Sequence, residues 1–65
     1  MLPRIEIIHL LTGEYGFPLW QAARLFRENE GWIMGWYAYG LDPRSIAAEI
    51  AEAHDAGRDA SVYAA

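Results

Sequence analysis

Apolar residues recur at helical spacing in three segments of this chain. In the first segment, Pro3 suits the opening turn of a helix, and the Thr-Gly pair at residues 12–13 is typical of a helix end. The apolar residues between them are Ile7, Ile8 and Leu11. An alternation that starts at Ile5 also fits a short strand, but the adjacent leucines at residues 10–11 break it. We therefore predict a helix over residues 4–12.

The second segment opens at Pro18 and keeps one apolar phase across Gly31. The predicted inward stripe consists of Leu19, Ala22, Ala23, Phe26, Ile33 and Tyr37. One glycine in a helix interior costs roughly 1 kcal/mol, which a preserved phase can outweigh. We therefore predict one long helix, straight or kinked, over residues 18–39. The alternative is that the Asn-Glu-Gly sequence at residues 29–31 ends this helix and that a separate short helix follows.

The third segment follows the clearest helix boundary in the sequence. Gly40 suits the left-handed residue after a helix, Asp42 suits an N-cap, and Pro43 suits the first helical position. We predict a helix over residues 43–56, ended by Gly57. The predicted inward residues of this helix are Ile46, Ala47, Ile50, Ala53 and His54.

Together these segments predict an all-α fold, a small three-helix domain over residues 1–65 with a short C-terminal tail. Val62 and Tyr63 are expected to dock that tail on the core. A domain of this size buries only about 60% of its unfolded surface, and the chain has no cysteine for a disulfide or a thiolate metal site. Nine aromatic residues, or self-association into a homo-oligomer, would supply the missing support.

The charge pattern narrows the choice of partner. The formal net charge is −4, all five cations are arginine, and residues 41–65 carry −3 of the total. An acidic chain without a basic run is a poor nucleic-acid binder. No secretory leader and no apolar run of the roughly 18 residues that a membrane span needs are visible. We therefore expect a cytoplasmic protein without a membrane partner.

Residues 31–41 hold no charge and are unusually rich in aromatic side chains. On a continuous helix Trp32, Gly35 and Tyr39 lie opposite the core stripe, and Trp36 lies on its flank. We call these four residues the aromatic patch. One interpretation is that other elements cover this side and make it core. The other is a surface for a partner or for self-association, since Trp and Tyr are enriched in binding hot spots.

A second candidate surface is the acidic face formed by Glu49, Glu52 and Asp55 in the third predicted helix. Such a stripe is often only the solvated side of an amphipathic helix. As a functional surface it would dock on a partner with a basic surface, such as the arginine-rich groove of a nucleic-acid enzyme, because carboxylates at one-turn spacing imitate a row of phosphates.

Catalytic and metal chemistry have little support in the sequence. His54 and Asp55 are adjacent, and adjacent residues of a helix do not face each other. Ser45 and Ser61 lack a nucleophile-elbow context. His9 lies in an apolar segment and is interpreted as a packing residue. No catalytic, metal or cofactor-binding residue is therefore predicted, and we expect the protein not to be an enzyme.

Residues 40–50, Gly-Leu-Asp-Pro-Arg-Ser-Ile-Ala-Ala-Glu-Ile, resemble the first helix of helix-turn-helix motifs in bacterial regulators. The resemblance implies a turn and then a recognition helix with basic or amide side chains. The residues that follow carry one arginine, Arg58. If residues 43–56 were instead the recognition helix, they would present the acidic face to phosphates.

From these patterns we predict a non-catalytic protein–protein interaction module. The aromatic patch would supply affinity, and the acidic face would orient the partner. By analogy, a very small, lysine-free, mildly acidic chain is typical of the inhibitors that phages and mobile elements direct against host or defence nucleic-acid enzymes. The alternatives are a helix-turn-helix-like DNA-binding regulator and a small structural subunit of a larger assembly.

Overall fold

The computed structural model describes the backbone of residues 2–64 and the side chains of residues 2–55. The elements are α1 (Arg4–Gly13), α2 (Leu19–Glu28), α3 (Glu30–Ala38) and α4 (Pro43–Ala64). No strand occurs within residues 2–64. The all-α prediction is confirmed, and the strand alternative for the first segment is wrong. The chain has four helices where three were predicted.

One core joins the four helices. Its buried residues are Ile7, Ile8, Leu11, Ala22, Leu25, Phe26, Ile33, Ile46, Ala47, Ile50 and Ala51. Helix α1 packs against both α2 and α4, and α3 packs against α2 and α4. The largest side chains that are fully enclosed are aliphatic, and Phe26 is the one buried aromatic among the described side chains. Most of the aromatic side chains therefore lie outside this core.

The long helix predicted over residues 18–39 is divided at Asn29, and that prediction is wrong. Asn29 has φ −108° and ψ 14°, and its side-chain amide donates a hydrogen bond to the carbonyl oxygen of Leu25 at 2.8 Å. Backbone hydrogen bonds still span this residue, from the Asn29 N–H to the Leu25 carbonyl oxygen at 3.1 Å and from the Ile33 N–H to the Asn29 carbonyl oxygen at 2.8 Å. The alternative of a separate short helix describes the chain better. Gly31 is not the cause of the break, since it lies inside α3 without a positive φ.

The helical phase nevertheless continues across the break. The buried residues of α2 and α3, at i, i+3, i+4 and i+11, are Ala22, Leu25, Phe26 and Ile33. This face is rotated from the predicted stripe towards Leu25. Leu19 and Tyr37 are exposed instead of buried, so their assignment to the core is wrong.

Helix α4 begins where the sequence predicts. The Asp42 carboxylate accepts a hydrogen bond from the backbone N–H of Ser45 at 2.8 Å, as an N-cap does. Gly40 has φ +97°, the left-handed conformation expected of a residue after a helix. Arg44 in the first turn forms an ion pair with Glu14, which ties the α1–α2 connection to α4.

The far end of α4 differs from the prediction. The helix continues through Gly57 to Ala64, so the predicted end at residue 56 is wrong. Ala53 is exposed, and Ala51 is buried in its place. The predicted docking of Val62 and Tyr63 falls outside the residues whose side chains are described.

We expect Gly31→Ala to raise the free energy of unfolding by up to about 1 kcal/mol, because a helical glycine gains from a Cβ. A Cβ at Gly31 would have no heavy atom within 4 Å, so no clash opposes the gain. The matched control is Gly40→Ala, which should destabilise by roughly 1–2 kcal/mol because of its positive φ. Urea unfolding measures both changes. A loss from Gly31→Ala as large as that from Gly40→Ala would contradict the helical placement of Gly31.

Asp42→Ala should lower the midpoint of urea unfolding, because the N-cap is lost. Asp42→Asn should lower this midpoint much less, because asparagine also caps helices. The Ser45 side chain and then the Ser45 backbone N–H lower the pKa of the Asp42 carboxyl. Since its folded-state pKa is depressed, the charge-dependent part of the capping contribution is complete above the unfolded pKa of about 3.9 and is lost as the pH falls through the lower folded value. The stability difference between the native chain and Asp42→Ala should therefore shrink on acidification towards the difference between Asp42→Asn and Asp42→Ala, because a protonated carboxyl is a neutral acceptor as asparagine is. A difference between the native chain and Asp42→Asn that does not change with pH would contradict the charged cap.

Candidate functional site

Helix α3 buries one residue completely, Ile33, and leaves its other large side chains wholly or partly in solvent. Trp32 is 69% exposed and Tyr39 is 90% exposed, whereas Trp36 is half-buried against the core. These three residues follow i, i+4, i+7 spacing and share one flank of the helix. Gly35 is exposed beside them. The structure thus brings the four residues of the aromatic patch together on the surface, with Trp36 at the margin of the core.

The two tryptophans of the aromatic patch are in contact with each other. The rings of Trp32 and Trp36 are stacked, with centroids 6.3 Å apart and planes 29° from parallel. Because Trp36 is packed against the core, it provides a fixed support for the exposed ring of Trp32. A ring already held in place loses less side-chain entropy when a partner covers it.

The opposite flank of α3 is also apolar and exposed, which the sequence pattern did not predict. Met34 and Tyr37 lie there in solvent. Met34 and Tyr37 are exposed for the same reason as Leu19: the buried face is rotated from the predicted stripe. Including Leu25 among the predicted inward residues would have shifted the centre of that stripe away from Tyr37.

The acidic face lies on the outer side of α4. Glu49, Glu52 and Asp55 are all exposed, on the side of the helix opposite Ile46 and Ile50. Among the described side chains none of these three carboxylates forms an ion pair. They therefore present negative charge to solvent.

The residues considered for catalysis are not brought together. His9 is exposed, so its interpretation as a packing residue is wrong. His54 is half-buried and meets the ring of Phe17 edge-on, with centroids 5.4 Å apart. Ser45 is exposed in the first turn of α4, and the side chain of Ser61 lies outside the described part. No group of three metal-ligating side chains occurs within the described residues.

Helix α4 runs without a turn from Pro43 to Ala64. In the alignment that makes the start of α4 the first helix of a helix-turn-helix motif, the described chain therefore has no second helix after it. The other alignment makes α4 the recognition helix, with the acidic face outward. As for membranes, no helix among the described residues has the length and apolar character required to span one.

Comparisons of this chain with protein-family models, with curated proteins and with solved structures find no match. A function for the chain has to be inferred from the chemistry of its exposed surfaces.

Trp32→Ala and Phe26→Ala distinguish surface from core. Trp32 is mostly exposed, so its truncation should cost about 1 kcal/mol or less, chiefly through the lost stacking on Trp36. Phe26 is 3% exposed, and its truncation should cost roughly 3–5 kcal/mol or prevent folding. Chemical denaturation of both variants measures the difference. Equal losses would contradict the surface position of Trp32.

Proposed function

We propose that this protein is a non-catalytic interaction module that binds another protein through the aromatic patch. The observation that carries the proposal is the exposed Trp32 ring stacked on the anchored Trp36, with Tyr39 on the same flank of α3. Three large side chains at i, i+4, i+7 spacing are the form in which a helix inserts into a partner's apolar groove. Trp and Tyr are also the residues most enriched in binding hot spots.

Burial of the aromatic patch against a partner would lower the free energy relative to leaving it in water. Each Trp or Tyr removes roughly 150–250 Å² from water when it is buried. At about 25 cal/mol per Å², covering Trp32 and Tyr39 would contribute several kcal/mol before the costs of association. The preformed stacking of Trp32 reduces one of those costs.

In this proposal the acidic face determines encounter more than affinity. Exposed carboxylates at the margin of an interface act mainly through long-range attraction, which raises the association rate and is screened by salt. The partner surface is accordingly basic, and we place the encounter in the cytoplasm. We propose the arginine-rich surface of a host or defence nucleic-acid enzyme as the target, on which a phage- or mobile-element-type inhibitor would act. This last step rests on analogy of size and charge.

The experiment that tests the proposal captures partners on the immobilised native chain and on three variants. Trp32→Ala and Tyr39→Ala alter the aromatic patch. The matched control is Trp20→Ala, which removes a 66% exposed tryptophan from α2, outside the patch. We expect one protein to be retained by the native chain and by Trp20→Ala and lost from both patch variants. Equal retention by all four chains would contradict the proposal, as would capture of DNA alone.

With the captured partner in hand, binding kinetics separate the two surfaces. Trp32→Ala should weaken affinity by about 2 kcal/mol or more, roughly 30-fold, mainly through faster dissociation. Charge reversal at Glu49 and Glu52 should slow association and flatten its salt dependence while leaving dissociation nearly unchanged. An association rate that does not respond to these reversals would remove the acidic face from the proposal.

A further inference from the structure

A second apolar surface lies between α1 and α2, outside the aromatic patch. A groove of about 800 Å³ runs between these helices. Its apolar lining consists of Leu2, Pro3, Ile5, Ile8, Leu19 and Phe26. Ile5 is 70% exposed and Leu19 is 65% exposed, so aliphatic side chains project into solvent along a groove with an apolar floor. Because the projecting side chains and the groove lie on the same surface, a second copy of the chain would be complementary to it.

Four charged side chains gather at one end of this groove. The guanidinium of Arg4 lies 5.9 Å from the centre of the Phe26 ring, so the start of α1 is beside the end of α2 and the two helices are antiparallel. Glu6 lines the same groove, and Arg27 and Glu30 line a smaller cavity that shares Arg4 and Phe26. The four side chains carry two positive and two negative charges, which sum to zero.

Within the described residues these four charges have no oppositely charged partner. The ion pairs of that part of the chain join Arg24 to Glu28 and Arg44 to Glu14. All four side chains are exposed. Charges of both signs are therefore available for contacts with another molecule.

We propose that the α1–α2 groove is the interface of a homodimer with its two-fold axis parallel to these helices. Rotation about such an axis lays α1 of one copy across α2 of the other and keeps the charged ends together. Arg4 then faces Glu30 of the partner subunit, and Glu6 faces Arg27 of the partner subunit. Each pair occurs twice, and Ile5 and Leu19 of each copy meet the apolar floor of the other.

Charge complementarity is the reason for choosing a second copy as the occupant. The chain carries a net charge of −4, but this rim is neutral, so it gives no net attraction to a nucleic acid or to a strongly charged peptide. A second copy related by the two-fold axis supplies an apolar surface, and it places a side chain of opposite charge at each position of the rim. An axis perpendicular to the helices would instead place the charged end of one copy over Leu19 of the other.

The size of the surface sets the expected strength of the dimer. Helices α1 and α2 have ten residues each and are thus about 15 Å long. A face of two such helices is smaller than the roughly 800 Å² per partner of a standard stable interface. We therefore expect a dissociation constant on the order of micromolar or weaker.

The decisive experiment is a charge exchange followed by sedimentation equilibrium. Arg4→Glu alone and Glu30→Arg alone each put like charges together at two contacts, and each should weaken dimerisation by about tenfold or more. In an equimolar mixture of the two variants, the introduced carboxylate faces the introduced guanidinium at one contact and native Arg4 faces native Glu30 at the other. The mixed dimer should therefore be restored to nearly the native affinity.

Ile5→Glu should prevent dimerisation through the apolar part of the interface, with unfolding of the isolated chain little changed because Ile5 is exposed. The matched control is Met34→Glu. Met34 is an exposed apolar residue of α3 outside the groove, so this variant should dimerise normally. Three outcomes would overturn the proposal. They are a native chain that stays monomeric at millimolar concentration, a mixture no stronger than its components, and equal loss from Met34→Glu and Ile5→Glu. None of these depends on the partner of the aromatic patch.

Discussion

The packing of five aliphatic side chains, Ile7, Leu11, Ile33, Ile46 and Ile50, is the interaction on which the rest of the structure depends. Burial of each contributes roughly 1.5–3 kcal/mol, and together they hold α1, α3 and α4. Among the described side chains, this small core encloses one aromatic ring, that of Phe26. Helix α3 is attached through Ile33 and, at its margin, Trp36. The other large side chains of this helix, Trp32, Met34 and Tyr37, are exposed.

Two parts of the exposed apolar surface differ in their chemistry. The aromatic patch is an uncharged stripe of rigid rings, supported from below by Trp36. The α1–α2 groove is mainly aliphatic, with Phe26 also in its lining, and it has a neutral rim of mixed charges. A stripe of rings suits insertion into a different protein, whereas a self-complementary groove suits a second copy. Both contacts would cover surface that a chain of 65 residues cannot bury by itself.

Local chemistry determines which features the sequence predicts. Gly40, Asp42 and Pro43 mark the start of α4 because each acts through its own backbone or its nearest neighbours. The break at Asn29 lies in the backbone angles of that one residue, φ −108° and ψ 14°, which apolar periodicity does not record. The position of Trp32 and Tyr39 opposite the core stripe was predicted, because the helical phase survives that break. Apolar periodicity left open whether other elements cover them, and the structure leaves both exposed. The groove could not be predicted, since it arises from the packing of α1 on α2.

The most direct test of this account is the solvent accessibility of the three tryptophan rings in the native chain, at a concentration well below that of any self-association. Paramagnetic relaxation of their ring protons by a soluble gadolinium chelate measures it, with Trp20→Phe and Trp36→Phe used only to assign the signals. Trp20 and Trp32 should relax strongly and to a similar extent, and Trp36 much less, in accordance with their burial. Protection of Trp32 equal to that of Trp36 would show that the aromatic patch belongs to the core and would contradict the account.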